Sequence, residues 1–162
     1  MVKSILVPDK AYERLRALAE ARGMGVEELV LSLALEEADP AETAEAYWEV
    51  SEALLEQAAE ELEKGDLRQA SEKIWGSAAL AVKALAVERE GRRITSHGEL
   101  WEYVARISRE IGDADLRRLW QVANSMHVNY YEGWATSDYV EDALEDVRIF
   151  LDKLRRLREA GS

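Results

Sequence analysis

The sequence contains no cysteine, and this absence excludes both a disulfide framework and a thiolate metal site. Histidine is nearly as scarce, with two residues in the chain, so a zinc site is not expected either. No run of roughly 18 uncharged apolar residues occurs, and the first residues lack the apolar segment of a signal peptide. We therefore expect a cytoplasmic protein with no metal, no cofactor and no membrane contact.

Basic residues are in the minority, and the formal net charge is -12 at pH 7, with a sequence pI of about 4.7. A surface of this charge repels phosphate backbones, so any nucleic-acid contact requires a local basic patch. Charged residues nevertheless make up 33% of the chain, a balance compatible with a thermophilic source. The length of 162 residues suits one compact domain with a small appendage.

The first 38 residues predict a short strand followed by two helices. Residues 4–7 are β-prone, and helices are predicted over residues 10–22 and 26–38. This order resembles a ribbon-helix-helix module, and the resemblance implies an obligate dimer in which the strands of two chains pair antiparallel. The alternative is a helical hairpin with a loose N-terminus.

A ribbon-helix-helix module commonly binds DNA through its paired strands, and the resemblance places Val2, Ser4 and Leu6 on the groove-facing side. Reading base edges requires hydrogen-bonding side chains and cations for the phosphates, and Val and Leu supply neither. We therefore expect the dimer without the DNA. A DNA-binding regulator or antitoxin is kept as an alternative function.

Residues 39–162 predict a bundle of amphipathic helices with clear start signals. Asp39, Asp66 and Ser96 are suited to cap helix N-termini, and Pro40 suits a first helical position. The fold class is therefore mainly all-α, with a short N-terminal strand and helical hairpin followed by a five-helix bundle. The five helices are predicted over residues 40–64, 66–87, 97–111, 113–132 and 137–159.

The helix that ends near residue 132 carries one of the two histidines among polar and aromatic side chains. At 100° per residue, Trp120, Asn124, His127 and Tyr131 share one stripe of this helix. Such a group can bind a nucleotide or supply a general base, because histidine titrates near neutrality. We predict that His127, Asn124 and Tyr131 form one hydrogen-bonded group in or beside a pocket. The alternative is a buried, hydrogen-bonded histidine with a structural role.

The same helix contains His127-x-Asn129-x-Tyr131-Glu132, and an earlier helical hairpin contains the run AALAVKAL at residues 78–85. With these features, residues 40–160 resemble the HEPN superfamily of small α-helical bundles and, within it, the archaeal PaREP family. The other residues that carry the resemblance are Gly65-Asp66, Gln69-Ala70, Glu72-Lys73, Trp75, Ser96-His97 and Leu100.

Active HEPN nucleases have an arginine shortly before a histidine, and the two face a dimer cleft in which RNA is cut without metal. The resemblance thus implies that His127 exchanges protons with a ribose hydroxyl while an arginine stabilises the phosphate. The positions that should hold this arginine are Trp120, Gln121 and Val122. We therefore expect a non-catalytic protein. A metal-independent ribonuclease with His127 as its catalytic candidate is the alternative.

The leading interpretation is a non-catalytic homodimer in which residues 1–38 associate and residues 39–162 form a binding module for a nucleotide, an RNA-like ligand or a partner. An alternative site is formed by Arg92 and His97, which satisfy the arginine-to-histidine spacing but lie in a loop and at a helix start. The candidate ligand-binding residues are Asn124, His127, Asn129, Tyr131, Lys73 and Lys83.

Overall fold

Strong helix-forming segments and well-defined caps divide residues 2–161, which this computed structural model describes, into seven α-helices. No strand occurs among these residues, so the mainly all-α prediction is confirmed. Met1 and Ser162, the outermost residues of the two predicted domains, lie outside the described range. The helices are α1 (Asp9–Ala21), α2 (Val26–Ala34), α3 (Pro40–Glu63), α4 (Leu67–Glu90), α5 (His97–Ile111), α6 (Asp115–Glu132) and α7 (Ser137–Ala160).

The three predicted N-caps are confirmed. Asp39, Asp66 and Ser96 each accept a hydrogen bond from the backbone N–H three residues later, and Pro40 lies in the first turn of α3. The end of α2 was predicted less well, because the helix stops at Ala34 rather than at residue 38. The chain must become extended before Pro40, so the residues that follow α2 form a turn instead of another helical turn.

Helix α4 is the centre of the bundle. Residues 77–87 (SAALAVKALAV) have almost no polar face, and every one of them is buried. Helices α3, α5, α6 and α7 pack around this segment. The α3–α4 crossing is fixed by Ser51 and Ser77, because each hydroxyl donates to the other residue's backbone carbonyl at 2.7 Å.

Helices α1 and α2 pack against each other and form what we call the N-terminal hairpin, in which Ala19 and Leu29 are buried. The strand predicted over residues 4–7 does not form in this single chain, where residues 2–8 are irregular. A strand requires a partner, and residues 2–161 offer none. Within one chain this segment is therefore an irregular lead to a helical hairpin, and the pairing of strands from two chains stays a prediction.

A buried ion pair joins the N-terminal hairpin to the bundle. Glu28 of α2 accepts a hydrogen bond from the ammonium of Lys83 on α4, and both side chains are almost fully enclosed. Burial lowers the pKa of Lys83 to about 8, because desolvation disfavours the charged amine. Buried charges of this kind are tolerated only as a pair, so the contact fixes where the hairpin lies on α4.

Candidate functional site

A cavity of about 300 Å³ lies between the N-terminal hairpin and the bundle. One side comes from α1, α2 and the turn between them, and the other comes mainly from α4, the start of α5 and α6. Both histidines line it, His97 as the first residue of α5 and His127 near the end of α6. Their ring centroids are 5.4 Å apart with the planes nearly perpendicular at 87°. The fold therefore brings the two histidines into contact although they belong to different helices.

Two further aromatic rings complete this wall of the cavity. The ring centroid of Trp75 on α4 lies 5.5 Å from that of His97 and 4.9 Å from that of His127. Tyr131 lies one turn after His127, with its ring centroid 5.4 Å away. We call His97, His127, Trp75 and Tyr131 the histidine cluster. Flat rings in this arrangement provide surfaces against which a planar ligand can stack.

The two imidazoles differ in how the protein contacts their ring nitrogens. His97 Nε2 lies 2.8 Å from the carbonyl oxygen of Gly23, and because a carbonyl only accepts, this nitrogen carries the hydrogen. His127 Nδ1 lies 3.4 Å from Glu72 Oε2, and neither atom has a hydrogen-bond partner within residues 2–161. The neighbouring carboxylate favours a hydrogen on Nδ1. The second nitrogen of each ring makes no hydrogen bond within residues 2–161, and in a neutral imidazole it can accept one from a ligand.

Charged side chains of both signs line the cavity. Lys83 is paired with Glu28, while Lys73 donates at 3.0 Å to the neutral carboxamide of Gln57. Carboxylates slightly outnumber cations, which disfavours a phosphate group deep inside and suits a neutral ring with hydrogen-bond donors. The charged lining residues are Glu20, Glu27, Glu28, Glu72, Arg16, Lys73 and Lys83.

Four of the six predicted ligand-binding residues line this cavity, namely Lys73, Lys83, His127 and Tyr131. Of the alternative site, His97 lines it as well. Arg92 does not belong to the cavity lining, and its guanidinium lies 3.8 Å from the carboxylate of Glu99. The structure therefore places His97 with His127 in one cavity, whose lining does not include Arg92.

Asn124 and Asn129 do not line the cavity. The Asn124 carboxamide donates to the Trp120 carbonyl at 2.8 Å, so the predicted hydrogen-bonded group with His127 and Tyr131 does not form. Asn129 is buried, and its side chain donates to the Ser71 hydroxyl at 2.8 Å and accepts from the Ala135 N–H at 2.7 Å. Asn129 thereby links the segment that follows α6 to helix α4 through hydrogen bonds, and its role is structural.

Sequence reasoning missed Glu72 and the backbone of Gly23 as members of the site. Glu72 precedes Trp75 by three residues, and this spacing places both on one face of α4, so helical periodicity contained a signal for it. The carbonyl of Gly23 had no signal, because its position depends on how the N-terminal hairpin docks on the bundle.

The charges around His127 differ from those of a metal centre and from the arginine-histidine pair of the nuclease motif. No group of three or more His, Asp or Glu side chains in residues 2–161 is arranged to hold a metal ion. The charged side chain against His127 Nδ1 is the carboxylate of Glu72 rather than a guanidinium. None of the described helices is both long enough and hydrophobic enough to cross a membrane.

Comparisons with known proteins support this architecture. A sequence profile of the archaeal PaREP1/PaREP8 family matches residues 46–151, which begin within α3 and exclude the N-terminal hairpin. A crystal structure of a protein from Sulfolobus solfataricus is similar with a TM-score of 0.58 and 27% identity, over 66% of this chain and 94% of that chain. No curated protein sequence matches the chain. The family match thus includes the bundle side of the cavity and leaves out the hairpin side.

Proposed function

The chain belongs to the archaeal PaREP1/PaREP8 family, and from this premise we propose that it is a non-catalytic helical binding module whose ligand lies between the N-terminal hairpin and the bundle. The histidine cluster carries the proposal, because it combines stacking surfaces with two ring nitrogens available to a ligand. The cavity volume of about 300 Å³ is at the lower end of small-molecule sites. A nucleobase of a nucleotide or RNA-like ligand fits these features.

In this proposal α3 to α7 form a bundle of the HEPN type. Five helices follow the N-terminal hairpin, as the resemblance implied, and His127 lies late in the bundle on a face shared with the cavity. Trp120, Gln121 and Val122 occupy the positions at which the resemblance expects the arginine, and this argues for binding without cleavage, because removing one transition-state donor typically costs about 10²- to 10³-fold in rate.

Binding is tested by titrating the protein with nucleosides and their 5′-monophosphates while tryptophan fluorescence and heat are recorded. Trp75 lines the cavity, so saturable quenching is expected when a base binds there. The variant His127→Ala should lose affinity while its melting temperature stays within a few degrees. Asn124→Ala on the same helix is the matched control and should bind normally, because Asn124 does not line the cavity. Absence of binding, or equal affinity in His127→Ala, would contradict the proposal.

We also propose a homodimer in which residues 1–38 associate. Ile5, Leu6, Leu18 and Leu33 are all more than half exposed within the single chain, and a second copy would cover such apolar side chains. Light scattering should give twice the monomer mass for the full chain, and deleting residues 1–8 should weaken association. A monomeric full chain would refute this part, and an unchanged dimer after the deletion would assign the interface to the bundle.

One observation favours a metal-independent ribonuclease as a second candidate. The two imidazoles lie 5.4 Å apart and line one cavity, so a general acid and a general base can both reach the same ligand. Incubation of a generic RNA with the protein in the presence of a chelator tests it. Cleavage that disappears in folded His127→Ala would replace the binding proposal by this one.

A further inference from the structure

A shallow groove continues from the cavity to the protein surface. It is formed where α1, the start of α4 and the end of α6 meet, and four of its side chains also line the cavity. A ligand in the cavity therefore has its exposed end in this groove. The lining residues are Arg16, Asp66, Arg68, Gln69, Tyr130 and Tyr131.

The groove is basic, whereas the cavity is slightly acidic. Arg16 and Arg68 supply two guanidinium groups, and the one carboxylate in the groove belongs to Asp66. That carboxylate accepts a hydrogen bond from the Gln69 N–H at 3.0 Å, because Asp66 is the N-cap of α4. A ligand with a neutral ring and one anionic group would therefore place the ring in the cavity and the anion in the groove.

Arg68 is held in the groove by the end of α6. Its Nη2 donates to the backbone carbonyl of Tyr131 at 3.3 Å, and this neutral partner does not cancel the charge. The guanidinium also packs directly against Gly133, where an added Cβ would lie 2.6 Å from Nη2. Gly133 has a φ of +65°, so the backbone favours glycine here, and a methyl group at this position would push the end of the Arg68 side chain aside. The arginine is thus positioned before any ligand arrives.

Arg16 faces the groove from the N-terminal hairpin. It donates to the Tyr130 hydroxyl at 2.9 Å, and its Nε lies 3.5 Å from the carboxylate of Glu20. An exposed ion pair of this type contributes little and leaves the outer donors of the guanidinium free to bind a phosphate. Arginine suits that task, because its planar fork matches two phosphate oxygens at once.

We propose that Arg16 and Arg68 form a phosphate subsite at the mouth of the cavity. The ligand is then a nucleoside monophosphate, either free or as the terminal unit of an RNA, rather than a nucleoside. This inference rests on the proposed function, in which the base occupies the histidine cluster. It also gives the N-terminal hairpin a direct part in ligand recognition through Arg16.

The test compares each nucleoside with its 5′-monophosphate on the full-length protein by calorimetric titration. The monophosphate should bind about tenfold more tightly, since a charge-assisted contact is worth about one to two powers of ten in affinity. Arg68→Gln should remove most of this advantage and leave nucleoside affinity unchanged. Arg118→Gln is the control for net charge, because Arg118 is exposed on α6 outside the groove and should have no effect.

A second pair of variants tests whether the position of the Arg68 side chain matters, because these variants leave its charge unchanged. Gly133→Ala should displace the Arg68 side chain and reduce the monophosphate advantage, whereas Gly112→Ala should not, because no atom lies within 4 Å of a Cβ there.

An RNA with a 5′-phosphate that binds more tightly than the free monophosphate would support the subsite and identify the ligand as an RNA end. Equal affinity for nucleoside and monophosphate, or equal losses in Arg68→Gln and Arg118→Gln, would overturn the subsite alone. Binding of neither compound would overturn the proposed function with it.

Discussion

The bundle and the N-terminal hairpin are both helical, yet they bury their side chains to very different extents. In α4, 15 of 24 residues are buried, whereas in α1 only Ala19 among 13 residues is buried. The bundle covers its apolar surface with its own helices, while Leu18 and Leu33 of the hairpin remain more than half exposed. The bundle is therefore stabilised mainly by packing, and the hairpin depends on a small number of specific contacts.

The contacts that hold the hairpin are also the ones that shape the site. Gly23 accepts from His97, and Arg16 donates to Tyr130, so two of the hairpin's polar contacts are with residues that line the cavity. A change in the hairpin should therefore alter ligand binding, whereas a change in the bundle core should alter stability first. The predictions below separate these two behaviours.

The largest effect is expected where the two regions meet. Glu28→Leu leaves the Lys83 ammonium buried without its partner, which should lower the free energy of unfolding by roughly 3–5 kcal/mol at pH 7. Glu27→Leu, at the exposed neighbouring position, should cost about 0.5 kcal/mol. Urea unfolding measures both. The double variant Glu28→Leu, Lys83→Met should recover most of the stability, and an equally unstable double variant would contradict the ion-pair explanation.

A smaller effect is expected inside the bundle. Asn129→Ala strands the Ala135 N–H and removes a partner of the Ser71 hydroxyl, so the free energy of unfolding should fall by about 2–3 kcal/mol. Asn124→Ala on the same helix loses one partly exposed hydrogen bond and should cost well under half as much. Thermal and urea unfolding provide the comparison. Nucleoside affinity should be unchanged in folded Asn129→Ala, and a loss of binding would place Asn129 in the site.

The difference between these two asparagines illustrates what the sequence could predict. Helical periodicity correctly places residues on a face, but it does not say whether a side chain turns toward a cavity or toward its own backbone, as Asn124 does. Asp39, Asp66 and Ser96 were predictable because a cap depends on residues only three positions apart. Helix signals are local, and the bundle follows from them.

The site was less predictable because its parts come together through long-range packing. His97 was singled out for its spacing from Arg92, yet the structure relates it to His127 and to the Gly23 carbonyl instead. The partner of Lys83 lies on α2, more than 50 positions away in the chain. The N-terminal strand could not be tested within one chain, because its pairing would need a second copy.

The pH dependence of the free energy of unfolding tests the burial of Lys83 in the ion pair. Folding lowers the pKa of Lys83 from 10.5 to about 8. The cost of burying its ammonium is therefore full below pH 8 and disappears above pH 10.5, so this group makes the protein more stable at the higher pH. The free energy of unfolding should therefore rise as the pH increases from 8 to 9.5. Burial raises the pKa of Tyr103 to about 12, so tyrosine ionisation opposes this trend above about pH 10 and sets the upper limit of the measurement. Lys83→Met should give a flat profile, and an unchanged rise in that variant would disprove the assignment.

The smallest stability effect is expected at two helix ends that share a backbone conformation. Gly133 and Gly112 end α6 and α5 with φ values of +65° and +70°, so alanine should cost about 1 kcal/mol at either position. A modest additional loss is expected at Gly133, because the new methyl group displaces Arg68. Thermal unfolding of the two variants measures the difference. Identical losses would mean that the Arg68 contact adds nothing to stability.

The buried ion pair also bears on how related sequences diverge. Changing Glu28 or Lys83 alone leaves a charge enclosed, so substitutions at the two positions are expected to occur together rather than one at a time. Residues 46–151 carry the family match, and this range contains Lys83 but not Glu28. Family members with a bundle but no N-terminal hairpin should therefore have an uncharged residue, or a solvent-exposed lysine, at the position of Lys83. The residue at that position would therefore indicate whether a given relative has an N-terminal hairpin that covers the cavity.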